Sequence, residues 1–430
     1  LAAALVGGLT SLPGALVGGL FVGVVEQIIE WRSDTLGLTE TVLFVVVILV
    51  LIFRPQGLFG QKEETEDKVA FIPAMRELPA RLRATPYARY LRLGWLMVAS
   101  FAIALSLVTG PSTNGVLIDV IVFSIVGVSL TILLGWSGQI SLGHWGLVGV
   151  GAFAMANLHT RVGVPYLLAI PMSVVVGMFV ALVIGLPALR IRGLYLGVAT
   201  LAFSVASHAL LFKSQLIGKG TTGITVEAPK VGPIDLGSLS NRPLFFFSLA
   251  MFGLVLLFAR NLQGTRTYRS FVALRENEKA AATLGIGLTK YKLIAFVISG
   301  GIAALAGALY ATRLGVAEQT TWDPLRSLQL VAMVMIGGLG SLSGSVFGAV
   351  IVFGIQGFFE LRNPWIIPIG TGILLIVVIT RLPGGIAGMV QNIRGRIVES
   401  LDDMDQARHT DESGPARDPV GGVVAPARTG

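Results

Sequence analysis

Residues 327–358 read SLQLVAMVMIGGLGSLSGSVFGAVIVFGIQGF, a run without a single charge. One bilayer crossing takes about 20 helical residues, so this run is too long for one span and too short for two full ones. Its glycines gather at Gly337, Gly338, Gly340 and Gly344. The spacing predicts two short or tilted helices meeting at a Gly337–Gly344 break. A break bares N–H and C=O groups that hydrocarbon cannot satisfy, so it must be buried in protein or line a polar cavity. Two readings stand: a close helix–helix turn, or a functional device.

Similar apolar stretches recur near 12–29, 36–53, 93–109, 115–134, 140–158, 165–189, 193–212, 243–259, 292–312 and 364–380. The whole chain is 53% hydrophobic and 13% charged, with mean hydropathy +0.78. A soluble protein carries about a quarter charged residues. Too few polar groups remain to cover a water-facing surface, so the solvent is lipid. The expected fold is all-α: a polytopic transmembrane helical bundle with short or broken Gly-rich helices. The 54 glycines agree, because glycine lets membrane helices approach closely. The net charge of +8 reads as basic loops on the cytoplasmic side, not as a nucleic-acid surface. With no cysteine there is no disulfide, thiolate chemistry or Cys-ligated zinc. No other metal-ligand spacing is visible, and no cofactor is expected.

Charge orients the spans. Lys62, Lys68, Arg76, Arg81, Arg83 and Arg89 fill the 54–92 loop, and Arg266, Arg269, Arg275, Lys279 and Lys290 fill 260–292. Both loops are expected in the cytoplasm, as are the tight turn at Arg190 and Arg192 and the tail after Arg381. The segment 213–242 then faces outward. Parity requires 327–358 to cross twice or re-enter.

The chain divides into two membrane segments at 1–60, a charged linker at 61–92, a main unit at 93–390 and a polar tail at 391–430. Leu1 is not a start methionine, and the first residues read as the middle of a longer element. An internal repeat links the two ends: GGLTSLPGALVG at 7–18 aligns with GGLGSLSGSVFG at 337–348. Residues 1–60 are therefore expected to be the end of one permease-like unit and 93–390 a second of the same design.

Few residues carry chemistry. Gly218-Lys219 lacks the upstream glycine of a phosphate-binding loop, so ATP, if used, is handled by another polypeptide. Ser137, Gln139, Ser141 and His144 lie at membrane depth or its cytoplasmic edge. They either line a solute path or bond between helices. No nucleophile–base pair accompanies them, so no enzyme is expected. His208, with Thr200, Ser204 and Ser207, reads as interhelical contact. Asp119, Glu318 and Asp323 read as interface or loop charges. In ARNLQGTRTYRSFVALRENEKAAATLGIGLTKYK at 259–292, a helix over about 270–284 would carry an apolar stripe of Phe271, Leu274, Ala281 and Leu284. Gly264, Gly285 and Gly287 are expected to supply its turns. Periodicity alone leaves open a docking helix or a solvated loop.

LLGWSGQISLGHWGLVGVGAFA at 133–154, LRIRGLYLGVATLAF at 189–203, TGI at 222–224 and the run from Arg266 through Ala311 resemble the M-type permease subunit of bacterial branched-chain amino-acid ABC importers. GGLTSLPGALVGGLFVGVVE and ILVLIFRPQGLFG, within 1–60, resemble the C-terminal end of the H-type partner subunit. The resemblance implies a multi-pass protein of the bacterial cytoplasmic membrane. Its partners would be an H-type permease unit, two cytoplasmic ABC ATPase subunits and an external solute-binding protein. It also implies that 264–287 is the ATPase-coupling loop, with Arg275, Glu278, Lys279, Ala280, Ala281 and Gly285 on the family's motif. Lys279 departs from it, standing where the motif is acidic, with Glu278 beside it. Urea or short-amide permeases of the same family are an alternative. So is an ion-coupled transporter working alone, although 93–259 offers only Asp119 and no second intramembrane carboxylate for such coupling.

Overall fold

The computed structural model describes residues 6–8, 11–32, 38–53, 100–188, 194–220 and 241–359, with short pieces between 222 and 236 and scattered positions elsewhere. The linker 61–92, the tail 391–430, Arg54, Arg190, Arg192, Arg381 and most of the 364–380 span lie outside the described residues.

The chain is a helical membrane bundle. In order come α1 (Leu12–Arg32), α2 (Leu38–Phe53), α3 (Pro111–Leu130), α4 (His144–Ala156), α5 (Tyr166–Ala188), α6 (Leu194–Ala206) and α7 (Arg242–Gln263). Then follow α8 (Arg266–Glu276), α9 (Glu278–Thr283), α10 (Leu288–Leu314), α11 (Arg326–Gly337), α12 (Leu342–Ala349) and α13 (Ile355–Phe359). A π-helical turn at Thr131–Trp136 lengthens α3. Further π-helical turns extend α4 and α6 and join α12 to α13. Among the described residues, strand is confined to two-residue pieces. Ile224–Thr225 pairs antiparallel with Val316–Ala317, and Lys230–Val231 with Ile234–Asp235.

Among the described residues, five helices are long and apolar enough to cross a membrane: α1, α3 with its extension, α5, α7 and α10. The pair α11–α12, bent by 119° at the glycine break expected there, is a broken span or a re-entrant loop. Burial separates the centre from the rim. The apolar windows of α3 and α10 are 78% and 72% buried, those of α5 and α7 only 33% and 28%. The rim helices turn Leu167, Val175, Phe179 and Leu257 outward. In lipid this costs nothing, because acyl chains are as apolar as leucine.

Close backbone approach holds the centre together. A Cβ on Gly307 of α10 would lie 1.8 Å from the Val148 carbonyl oxygen of α4, and one on Gly151 would lie 2.1 Å from that of Ala304. The helices thus meet main chain to main chain, which maximises dispersion contact where no hydrophobic driving force acts. A smaller cluster of Val22, Val47, Val198 and Ala199 seats α1 and α2 on α6.

One span differs from expectation. The stretch 140–158 becomes helical only at His144, because Gly138 takes φ +71° and residues 137–143 form an irregular turn.

Candidate functional site

The break between α11 and α12 is a glycine construction. Gly338 and Gly340 have φ of +116° and +86°, conformations that suit glycine. A Cβ on Gly337 would stand 1.9 Å from the Gly344 carbonyl oxygen. Ser341 then caps α12, its Oγ accepting from the Gly344 N–H at 3.3 Å. At its described positions the N-terminal repeat shows the same features. Gly8 has φ +111°, a Cβ on Gly7 would lie 1.9 Å from the Gly14 oxygen, and Ser11 Oγ accepts from Gly14 N–H at 3.1 Å.

A second break, 131–143, lies directly against the first. Trp136 Nε1 donates to the Gly340 carbonyl at 2.9 Å, and a Cβ on Gly135 would meet Gly340 N at 2.5 Å. Thr131 Oγ1 and Ser345 Oγ hydrogen-bond at 2.8 Å. Two irregular segments thus cover each other, and Trp136 satisfies the Gly340 carbonyl that the first break frees.

The four polar residues expected near a solute path are all buried, and the structure sorts them into separate networks. Ser137 Oγ donates to the Leu133 carbonyl at 2.6 Å; Gln139 Nε2 donates to Ser137 Oγ at 2.8 Å and to the Lys292 carbonyl at 3.1 Å. His144 Nε2 lies 2.5 Å from Ser129 Oγ, which donates to the Ser299 carbonyl at 2.9 Å. Ser299 Oγ returns a bond to the Ser129 carbonyl at 3.0 Å. Ser141 Oγ and His144 Nδ1 have no partner among the described residues. A groove of about 660 Å³ lies elsewhere, along Leu201, Val205, His208, Asp323 and Leu325.

The 264–287 loop is built differently from the single helix expected over 270–284. Asn277 is extended at φ −159° and divides it into α8 and α9. Its side chain makes the division favourable by capping α9: Oδ1 accepts from the Ala280 N–H at 3.0 Å. Thr265 caps α8 in the same way, from Tyr268 N–H at 3.3 Å. Of the expected apolar stripe, Phe271, Leu274 and Ala281 are buried, but Leu284 is 78% exposed. Of the three glycines, only Gly285, at φ +78°, requires its residue type; Gly264 and Gly287 have ordinary negative φ.

This loop reaches the second break. Arg275 donates to the Gly135 carbonyl at 2.8 Å and pairs with Glu276 at 2.5 Å. Tyr268 packs edge-on against Trp136 with centroids 5.0 Å apart. Glu278 pairs with Lys292, whose carbonyl Gln139 also engages. On the other side Lys279, Ala280, Leu284 and Gly285 face outward.

The remaining candidates resolve simply. Asp119 pairs with Arg313 at 3.7 Å instead of ending free at an interface. His208 Nδ1 lies 3.1 Å from the Trp322 carbonyl, and Thr200 Oγ1 accepts from Leu142 N–H at 3.0 Å, so both bond to irregular or short turns, while Ser204 Oγ and Ser207 Oγ have no partner among the described residues. Asp323 Oδ1 accepts from Leu325 N–H, and Glu318 Oε1 accepts from Thr320. Among the described residues no group of three His, Asp or Glu could hold a metal. Arg326 is the residue that sequence reasoning missed. It directly precedes the uncharged run 327–358, and in the structure its guanidinium sits among aromatic rings.

Known proteins bear on this geometry. The chain is 31% identical over 216 residues to the high-affinity branched-chain amino acid transport system permease protein LivM of Salmonella typhimurium, a match covering 45% of this chain and 51% of that one. It is 27% identical over 328 residues to LivM of Escherichia coli, covering 70% and 75%. The match thus spans about half of the first relative's length. A stretch of 61 residues is 41% identical to the permease protein LivH of Salmonella typhimurium, 14% of this chain and 20% of that one. No solved structure matches. With residues 112–391 matched, more than half of its length, the chain belongs to the family described as branched-chain amino acid transport system / permease component.

Proposed function

We propose that the chain is the transmembrane permease subunit of an ABC importer for branched-chain or similar amino acids, powered by separate ATPase subunits. One observation carries this reading: the loop 264–287 packs one side onto the 131–143 break, which in turn bonds to Gly340 of the other, and leaves its far side exposed. A nucleotide-driven partner gripping the exposed side would move Arg275, Tyr268 and Lys292 as a unit. The breaks interrupt the helices and are where the spans can tilt, so the pathway opens alternately by rigid-body motion.

In this reading two ATPases bind in the cytoplasm, where the loops 54–92 and 260–292 and the tail also lie. An external solute-binding protein delivers the solute across the inner membrane. Residues 1–60 are the end of an H-type unit, a reading supported by the matching backbone at Gly8 and Gly338. Ser137, Gln139, Ser141 and His144 stay near the path, gating it through the bonds that tie α3, α4 and α10.

Leu284→Asp tests the coupling directly. The side chain touches water, so the protein should insert and fold normally, while ATP-driven leucine uptake is lost. Uptake at the parental rate would remove the loop from the coupling path.

A further inference from the structure

One half-buried cation, Arg326 at the start of α11, sits among aromatic rings. Its guanidinium carbon stands 5.3 Å from the Trp145 ring centre, 5.5 Å from Phe123 and 5.9 Å from Phe353. Tyr310 and Trp322 close the same box, at 5.8 Å and 5.0 Å from Trp145. Phe123 is the midpoint of the 26-residue span Pro111–Trp136, roughly 18 Å along the helix from its start. Arg326 therefore lies near the middle of the apolar layer. The ion pairs among the described residues are Arg275–Glu276, Lys292–Glu278 and Arg313–Asp119, and none includes it; its polar side-chain partner is the Tyr310 hydroxyl, which brings no opposite charge.

A charge at such depth is costly unless it is paired, and ring faces offset only part of that cost. Two further features add positive potential in the same place. α4 and α11 both begin here, at His144 and Arg326, and their starts are joined by the bond from Trp145 N–H to Ser327 Oγ at 3.1 Å. Helix N-termini carry partial positive charge and favour anions. Arg326 is nevertheless only half-buried, so a small solute can reach it.

We infer that Arg326 binds the carboxylate of the solute during its passage, with the box of Phe123, Trp145, Tyr310 and Phe353 holding the guanidinium planar and oriented. A planar fork of N–H donors suits a carboxylate, which it binds through two parallel hydrogen bonds. The inference rests on the proposal that the chain carries amino acids. It adds the place and chemistry of a binding step inside the permease.

The test uses the complete transporter, reconstituted with its partner subunits in vesicles. Leucine and leucinamide, which lacks the carboxylate, compete for uptake. In Arg326→Gln the preference for leucine should fall by about tenfold, the effect of losing one charge-assisted hydrogen bond. Arg326→Lys should retain part of it. A merely structural arginine would lower both rates together and leave the preference unchanged; that result overturns the inference. Should Arg326→Gln fail to fold, magnetic resonance on the parent decides. With 15N-arginine and 13C-carboxylate leucine, a contact within about 4 Å should appear and vanish in Arg326→Lys vesicles. No contact in the parent, or one unaltered in Arg326→Lys, refutes the site. If the parent itself takes up no leucine with ATP, the proposed function fails instead, a separate outcome.

Discussion

Gly337 and Gly253 are chemically the same residue in unlike positions. A methyl at Gly337 would enter the carbonyl of Gly344, whereas one at Gly253, on the rim helix α7, would meet nothing within 4 Å. Gly337→Ala should therefore destabilise the folded protein by about 1–3 kcal/mol, the usual cost of forced overpacking. Gly253→Ala should be neutral or stabilising by up to about 1 kcal/mol, because alanine favours helix. Thermal melting of both variants in detergent checks this, and equal melting points would contradict it. At Ser129 and His144 the same logic runs through hydrogen bonds: buried polar groups between helices must be satisfied by one another, and most of these are.

The 264–287 loop shows the reasoning one level up. Asn277 turns what would be one helix into two, and Arg275 fastens the first of them to Gly135. Asn277→Ala should remove the cap on α9, a loss of about 1 kcal/mol that is local to the loop. Arg275→Gln should leave Gly135 with a weaker donor. Both variants should slow leucine uptake while the ATPases remain bound, measured as transport per ATP hydrolysed; an unaltered ratio in both would sever the loop from the breaks. The spans were legible in the sequence because a period of 3.6 and a length near 20 residues are written in apolar residues alone. The Gly337–Gly344 break was legible because glycines cluster where length arithmetic fails. The division at Asn277 was not, since an asparagine serves a helix interior or a cap according to its neighbours. The π-helical turn before Trp136 was not legible either: it depends on Gly340, two hundred residues away.

Across the whole molecule, two central helices bear the packing, a rim faces lipid, and two glycine breaks meet where a loop arrives from outside the bundle. The repeat at 7–18 and 337–348 was readable as letters and recurs as backbone. The site was only partly readable. The coupling-loop positions stood out through resemblance, but their inward and outward faces did not, and Arg326 became visible only once Phe123, Trp145 and Phe353 were gathered round it. Vesicles containing this protein, with and without the nucleotide-hydrolysing subunits, allow the most direct test: accumulation of labelled leucine against its gradient. Accumulation should require those subunits together with ATP, and should not occur when an ion gradient is imposed on the protein alone. Uphill leucine movement driven by the ion gradient, without any ATPase, would contradict the central claim.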